Sequence, residues 1–580
     1  MIKIQKLYSE PQIFDPIIFD YGLNIIMGEG SESSDKKIGV GKSICVEFIN
    51  FCLLKDFKYS RLSLIPKNAI NIEADIKLDI LMNKHQLTII RSISDSDHVV
   101  IYKNGERIVF DKIDDAKEFL NNLYYEYYTS KKPRIGLRTL LHPIIREEKS
   151  EFKDIIQCFD TDKRIPPDYT PHLFLFDISL ELYTSIRGTA SKIEKKNAYI
   201  RETKQLITKN NQLTITKAKA RLNELEGEVV KLNNSVEQLK NNESFDLIQK
   251  EIITIEDKLR KLRDKQKSIR FRIKQIDTLP EVENIPTDDI SIIFNQFKQG
   301  LGDMIERSIN EVVEFKNKID DFRNYLVNEQ LESLKCELIG INDQLNILDG
   351  EYSQKVSLLD TNGNLLRDLK TSLNIFNTKN KDYNELRALI SNYDEATKDK
   401  KKLATTKSEL STKLDNNISN IKETTINSFS KSILDAHERI MGSREAFFDI
   451  EVINKANNKY PVEFILRIQD DGSHTTDRMR VFIYDISLLL NEYTHRKHPL
   501  FLIHDNLFDK DDDSLEKSLN YIFDQNMSST FEFQYILTLN RDLVESIVKK
   551  QTLKFDIEDY KIASFTKDKR FLKCKYSEIK

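Results

Sequence analysis

Tryptophan is absent and the two chain breakers are scarce: the 580 residues include 16 glycines and 12 prolines. Average usage would give roughly 41 and 29. That scarcity excludes collagen-like, Pro/Gly-disordered and many-turned all-β chains, and with 31% charged residues it predicts long helices. No run approaches the roughly 18 apolar residues that a membrane helix needs, and Met1-Ile2-Lys3-Ile4-Gln5 lacks a signal peptide's apolar core. Five cysteines (Cys45, Cys52, Cys158, Cys336, Cys574) form no CxxC pair and no even framework. Neither a zinc site nor a disulfide scaffold is implied, and a reduced cytoplasm is the expected compartment. A net charge of −4 gives no bulk attraction to nucleic acid, so any such binding must come from local patches.

What is present changes character twice. Residues 1–180 mix short β-branched runs with turn residues, as in Gly22 to Gly28, Asn71 to Ile76 and Leu87 to Ile90. Val99-Val100-Ile101-Tyr102-Lys103 reads as a strand entering an Asn104-Gly105 hairpin turn. Residues 181–440 are helical and charged. Ala218, Leu222, Leu225, Val229, Leu232, Val236 and Leu239 alternate spacings of four and three, and the alternation resumes from Ile248 to Ile276. It recurs at Leu331, Leu334, Leu338, Ile341, Leu345 and Leu348, and again from Leu366 to Phe376. One such stripe suits a face of a globular bundle; sustained alternation favours a coiled coil, interrupted at Asn241 to Ser244. Candidate turns are Pro280 to Pro286, Gly300-Leu301-Gly302 and Asp360 to Gly363. The return segment exceeds the outgoing one, which predicts a small helical hairpin or tip bundle. In 441–580 strand-type runs return at Phe448 to Ile453 and Val462 to Ile468, and the fully apolar Leu500 to Ile503 and Gln534 to Thr538 suit buried parallel strands.

The strongest local signal is Lys36-Lys37-Ile38-Gly39-Val40-Gly41-Lys42-Ser43, between an apolar strand ending at Gly28 and an apolar helix running through Phe51-Cys52-Leu53. Small residues let backbone N–H groups curl around phosphate oxygens at a helix N-terminus; Lys42 then reaches the β- and γ-phosphates and Ser43 ligates Mg²⁺. The first glycine of that pattern is replaced by Lys36, and Gly28 to Asp35 reads as an insertion. A plain Gly-rich turn before a helix is the bland alternative. A phosphate loop needs a second carboxylate at the end of a buried strand, and Asp505 after Leu500 to His504 supplies it; a cap after a strand would also suit that position.

An N-terminal phosphate loop, a long coiled-coil hairpin and a C-terminal acid strand resemble the SMC-like ABC ATPases, which include RecN and the SbcC class. Within that class the chain looks like the large subunit of bacterial ABC-three-component systems, many of them linked to phage defence. The residues that carry this are Gly22 to Gly28, Asp35 to Ser43, Phe51-Cys52-Leu53, Arg478 to Phe482, His504 to Asp509 and Tyr535 to Asn540. The resemblance implies an α/β fold: a bipartite head built from 1–180 and 441–580, with an antiparallel arm and helical tip from 181–440. It implies ATP and Mg²⁺ as cofactors, with Gly39, Val40, Gly41, Lys42, Ser43, Ile44 and Asn540 on the nucleotide. Ser43 and Asp505 would hold the metal, and Asp505, Asn506 and Asp509 occupy the catalytic positions.

Departures from the family pattern matter. The residue after the strand-end Asp is ordinarily a catalytic Glu and here is Asn506, which can orient a water but cannot deprotonate it. The switch histidine is Asn540. The signature loop corresponds to Gly472 to Arg478, before a helix expected over 479–490, and Gln157 is a weak candidate for the Q-loop. Slow or partner-dependent hydrolysis follows.

The resemblance further implies a homodimer through the heads, small adaptor subunits, a separate effector protein and no membrane. Nothing here supplies a nuclease; Asp511-Asp512-Asp513 reads as a helix cap. Lys258 to Lys274 holds nine basic residues against Asp264 alone. It reads either as a solvated coil face matched by acids on the facing helix or as a DNA contact, and Lys131-Lys132-Pro133-Arg134 with Arg138 forms a smaller patch. Two rivals stand beside the ATPase reading: a scaffold that binds ATP without turnover, and a coiled-coil adaptor that never meets nucleic acid.

Overall fold

The computed structural model describes residues 1–30, 39–66, 71, 73–128, 134–208, 213–240, 247–277, 309–358, 363–455, 458–469, 474–508 and 512–574. The chain divides into two compact units. The first contains Met1–Arg187 and Ser408–Lys580; the second contains Gly188–Pro286 and Val312–Lys407.

The first unit carries thirteen strands among the described residues: β1 (Ile2–Glu10), β2 (Ile17–Ile18), β3 (Gly22–Gly28), β4 (Asp75–Met82), β5 (His85–Ser92), β6 (Val99–Lys103), β7 (Glu106–Phe110), β8 (Ile145–Arg146), β9 (Ala446–Val452), β10 (Val462–Ile468), β11 (Phe501–His504), β12 (Gln534–Asn540) and β13 (Lys561–Phe565). A six-stranded antiparallel sheet has the order β2-β1-β4-β5-β6-β7, and β9 pairs with β10 alone. Alternate residues of β4 and β5 are buried, as expected of a sheet with one face on a core. The Asn104-Gly105 hairpin is present, with both residues at positive φ.

The third sheet positions the candidate site. Its order is β13-β3-β12-β11-β8 and every neighbouring pair is parallel. All seven residues of β3 and all four of β11 are buried, because a parallel sheet is covered on both faces. Strands from the two ends of the chain interleave: β3 lies between β13 and β12, and β8 lies on the far side of β11. Neither end can complete this sheet alone. Gln534 ties the ends further, accepting from the Ile4 amide at 2.7 Å and donating to the Ile4 and Asp20 carbonyls at 2.8 and 3.0 Å. One apolar cluster joins Leu23 and Ile25 to Leu502, Tyr535 and Leu537; another joins Ile4, Ile26 and Phe48 to Phe501, Ile503 and Phe571.

The second unit is helical. Helix Leu247–Asp277 lies antiparallel to helix Ile309–Leu358: partner numbers fall on one as they rise on the other in Glu251–Lys355, Glu256–Tyr352, Arg263–Asp349 and Lys265–Glu337. Their seam buries Ile255, Leu259, Ile269, Ile341 and Leu345, residues of the heptad runs. Helix Ile215–Lys240 pairs with helix Gly363–Ile421 in the same sense, through Lys219–Asp394 and Glu228–Lys379. The third turn expected, at Asp360 to Gly363, falls largely on residues 360–362, outside the described residues. The break at Asn241 to Ser244, the turns at 280–286 and 300–302 and the expected tip lie outside the described residues. No described helix is long and apolar enough to cross a membrane.

Candidate functional site

In a parallel sheet the carboxyl ends of all strands meet at one edge, and that edge is where such folds hold ligands. Here Gly28 of β3 pairs with Asn540 of β12, and His504 of β11 pairs with both Leu537 of β12 and Arg146 of β8. Residues at and just after these strand ends meet at that edge: Lys42 bonds to Asn540 and Asn506 to Glu148.

Gly39 and Gly41 have φ of +73° and +107°. Gly41 is the N-cap of helix Lys42–Cys52, and a Cβ there would lie 2.7 Å from the Phe571 Cβ, so two constraints exclude a side chain. The loop carbonyls are engaged from the C-terminal segment: the Phe571 amide donates to the Val40 carbonyl at 3.1 Å and the Arg570 guanidinium to the Gly39 carbonyl at 2.9 Å. Lys42, Ser43 and Ile44 open the helix, and their N–H groups are among those that a helix leaves without an intrahelical acceptor. Ile44 and Val40 turn their side chains into the core and can offer only backbone.

Lys42 is 8% exposed and donates to Asn540 Oδ1 at the end of β12. Burial pulls its ammonium below the usual range, while Asp505, Glu148 and Asp542 pull it back up. Asp505 follows β11 and is fully buried. Burial pushes its carboxyl up to about 6, against hydrogen bonds from Ser43 and Thr538 and with Glu148 adding to the rise. Thr538 Oγ1 donates to Asp505 Oδ1 at 2.8 Å and accepts from the Asn506 amide at 2.8 Å. Asn506 sits at φ +60°, a conformation that asparagine tolerates, and its side-chain amide donates to Glu148 Oε1 at 2.8 Å.

The structure thus brings together Lys42, Ser43, Asp505, Asn506 and Asn540. Asp509 lies outside the described residues. Gln157 is engaged in its own loop with the Ile165 carbonyl at 2.9 Å; the residue against Asn506 is Glu148, not Gln157. Of the expected signature loop, Gly472 and Ser473 lie outside the described residues. His474 to Arg478 belong to the helix His474–Leu490, which begins earlier than the expected 479 because no breaker stands after Ser473. Arg478 donates to the Leu507 carbonyl at 3.2 Å.

Glu148 and Thr538 escaped the sequence reading. Ile144-Ile145-Arg146-Glu147-Glu148 repeats the pattern of Leu502-Ile503-His504-Asp505, a short strand ending in acid, and that pattern was the available signal for Glu148. The two glutamates divide: Glu147 is held by Lys55 and Asn50, whereas Glu148 is exposed and turns to Asn506.

Behind this edge of the sheet lies a buried polar network. Arg146 forms a two-armed ion pair with Asp485 at 2.5 and 2.9 Å, and His504 meets Asp485 at 3.1 Å and the Tyr535 hydroxyl at 3.0 Å. Burial holds His504 below its ordinary pKa despite Asp485.

Among the described residues no three His, Cys, Asp or Glu side chains gather as a metal site. Mg²⁺ does not require one: it is held by one or two protein oxygens, phosphates and water. The Ser43 hydroxyl and the Asp505 carboxylate, already in hydrogen-bond contact, are oxygen donors of that kind.

A family model described as "Uncharacterised protein conserved in bacteria (DUF2326)" matches residues 429–576, a span that includes Asp505 and Asn540. Over 553 residues the chain is 22% identical to "Uncharacterized protein YydD" of Bacillus subtilis (strain 168), covering 90% of each chain. Among solved structures it is similar to an Smc head domain with a coiled coil and joint derived from Pyrococcus yayanosii, at 14% identity and a TM-score of 0.34, covering 94% of this chain and 93% of that one. It is also similar to an Smc head domain with an extended coiled coil, bound to the C-terminal domain of ScpA, derived from Pyrococcus furiosus. That match has 10% identity and a TM-score of 0.33, covering 94% and 92%.

Proposed function

We propose that this chain is an SMC-like ATP-binding subunit, an ATPase with slow or partner-dependent turnover, whose heads engage through bound nucleotide. The carrying observation is the convergence of Lys42, Ser43 and Asp505 at the carboxyl edge of a parallel sheet shared by both chain ends. Helix N–H groups, a buried ammonium and a buried carboxylate are the donor set that a Mg²⁺-nucleotide triphosphate requires. Lys42 leaves Asn540 for the β- and γ-phosphates, and Ser43 and Asp505 would hold Mg²⁺, which neutralises the charge on the phosphates. Asp505 then keeps its proton off at neutral pH.

The remaining parts of the proposal extend this. Two heads form a homodimer around two nucleotides, and the arm, an antiparallel coiled coil, passes the change to adaptor subunits, to a separate effector protein and to DNA. The setting is a cytoplasmic multi-component system for phage defence or DNA maintenance. Arg260, Arg263 and Lys265 of the basic stretch pair with Asp257, Asp349 and Glu337, so DNA contact through Lys258 to Lys274 falls to its other basic residues. A second reading, a scaffold that holds ATP without turnover, is favoured by Asn506 at the usual position of the base.

Sedimentation velocity tests the proposal. MgATP is expected to convert the full-length chain to a dimer and to leave the Lys42→Ala variant unchanged. An identical profile for the unmodified chain with and without nucleotide contradicts head engagement.

A further inference from the structure

The site as described lacks a base at the place where one is ordinarily found. Asn506 is an amide, so it can hold a water but cannot accept its proton. Its side-chain N–H is committed to Glu148 Oε1 at 2.8 Å, across 358 residues of sequence. Geometry alone brings that carboxylate in: Arg146, anchored behind the sheet by Asp485, ends β8 beside β11, and the two following residues emerge at the edge where Asp505 and Asn506 emerge. The Asp505 amide donates to the Arg146 carbonyl at 3.0 Å, which locks the two strand ends in register. Glu147 is drawn aside by Lys55 and Asn50. Glu148 is exposed, and its charge reaches both Lys42 and Asp505. Two carboxylates therefore stand at one sheet edge in different surroundings: Asp505 buried and bonded to Ser43 and Thr538, Glu148 exposed and bonded to Asn506.

We propose that Glu148 is the general base of nucleotide hydrolysis, positioned by Asn506; this rests on the nucleotide reading above. In the step it serves, the oxygen of a water forms the new bond to the γ-phosphorus. The bond from that phosphorus to the β–γ bridging oxygen breaks, its electron pair leaving on the nucleoside diphosphate. The water's proton passes to the Glu148 carboxylate and from there to bulk solvent. Asn506 holds one carboxylate oxygen by its N–H and leaves its own carbonyl oxygen to orient the water. The base and its holder have thus exchanged places relative to the pattern in which the acid follows Asp505. One consequence is that Asn506→Glu alone sets a second carboxylate against Glu148 and does not restore an ordinary site.

The test uses the full-length chain with MgATP, reading binding by calorimetry and turnover by phosphate release. Glu148→Gln keeps the acceptor for Asn506 and loses the base; turnover is expected to fall at least ~100-fold. Affinity is expected to stay within about twofold, because the ground-state contacts are unchanged. The exchange Glu148→Gln with Asn506→Glu is expected to recover turnover, an outcome that a structural role for Glu148 does not produce. The proposal is overturned if Glu148→Gln turns over at the unmodified rate, or if Asp509→Asn abolishes turnover and Glu148→Gln does not. It is also overturned if the unmodified chain binds MgATP and hydrolyses none. Absence of MgATP binding by the unmodified chain is a different failure, that of the nucleotide reading itself.

Discussion

Asp505 is a buried carboxylate, and burial is the largest influence on it. Its carboxyl is pushed up to about 6 in the fold, against roughly 3.9 in an unfolded chain. The folded state therefore binds the proton more tightly, and this group adds stability as the pH falls from about 6 toward 4 and takes it away above 6. At pH 7.5 the ionised form burdens the apo fold by an amount on the order of 3 kcal/mol. Asp505→Asn is expected to melt higher than the unmodified protein at pH 7.5, with an advantage that shrinks toward pH 4.5, while losing Mg²⁺-dependent nucleotide binding. Denaturant melts at both pH values check this; a variant less stable at pH 7.5 contradicts it. Under the proposed function this cost is stability given up for a binding charge. Lys42 and Asp505 were legible in the sequence because a local pattern, strand then loop then helix, sets each of them. Glu148 was not, because its partner Asn506 is 358 residues away and only the sheet order brings them together.

At the scale of elements, the hairpin at Asn104-Gly105 and the buried runs Leu500 to Ile503 and Gln534 to Thr538 were readable from composition. Side-chain period and turn chemistry are properties of neighbouring residues. The two-residue β8 was not, since two residues show no period; it is a strand because β11 offers it a free edge. What fastens β8, β11 and β12 to the helix His474–Leu490 is the network of Arg146, Asp485, His504 and Tyr535. Arg146 and His504 are fully buried, so removing the one carboxylate leaves an uncompensated guanidinium. Asp485→Asn is expected to cost about 3–5 kcal/mol in urea unfolding, as for other buried pairs broken on one side. A loss under about 1 kcal/mol would mean that Arg146 finds its counter-charge elsewhere.

For the whole molecule, the interleaving of strands from the two ends makes the first unit indivisible: β3 and β8 come from the start of the chain, and β11, β12 and β13 from its last part. Apolar run lengths indicated buried parallel strands, yet strand order is a long-range property that no local run records. The antiparallel pairing of helices in the second unit was foreshadowed by the heptads, because Ile255, Leu259, Ile341 and Leu345 repeat at the spacing that faces a partner. Which helix meets which is set by the ion pairs and by where the chain turns. The central claim is that the shared sheet holds one Mg²⁺-nucleotide between Lys42 and Asp505. Calorimetry of MgATP binding to the full-length chain, beside Lys42→Ala, tests it most directly. The account predicts saturable, Mg²⁺-dependent binding of one nucleotide per chain, weakened about 30-fold or more in the variant, as befits loss of a charge-assisted hydrogen bond of roughly 2 kcal/mol. Equal affinity in both proteins, or no binding in either, would contradict it.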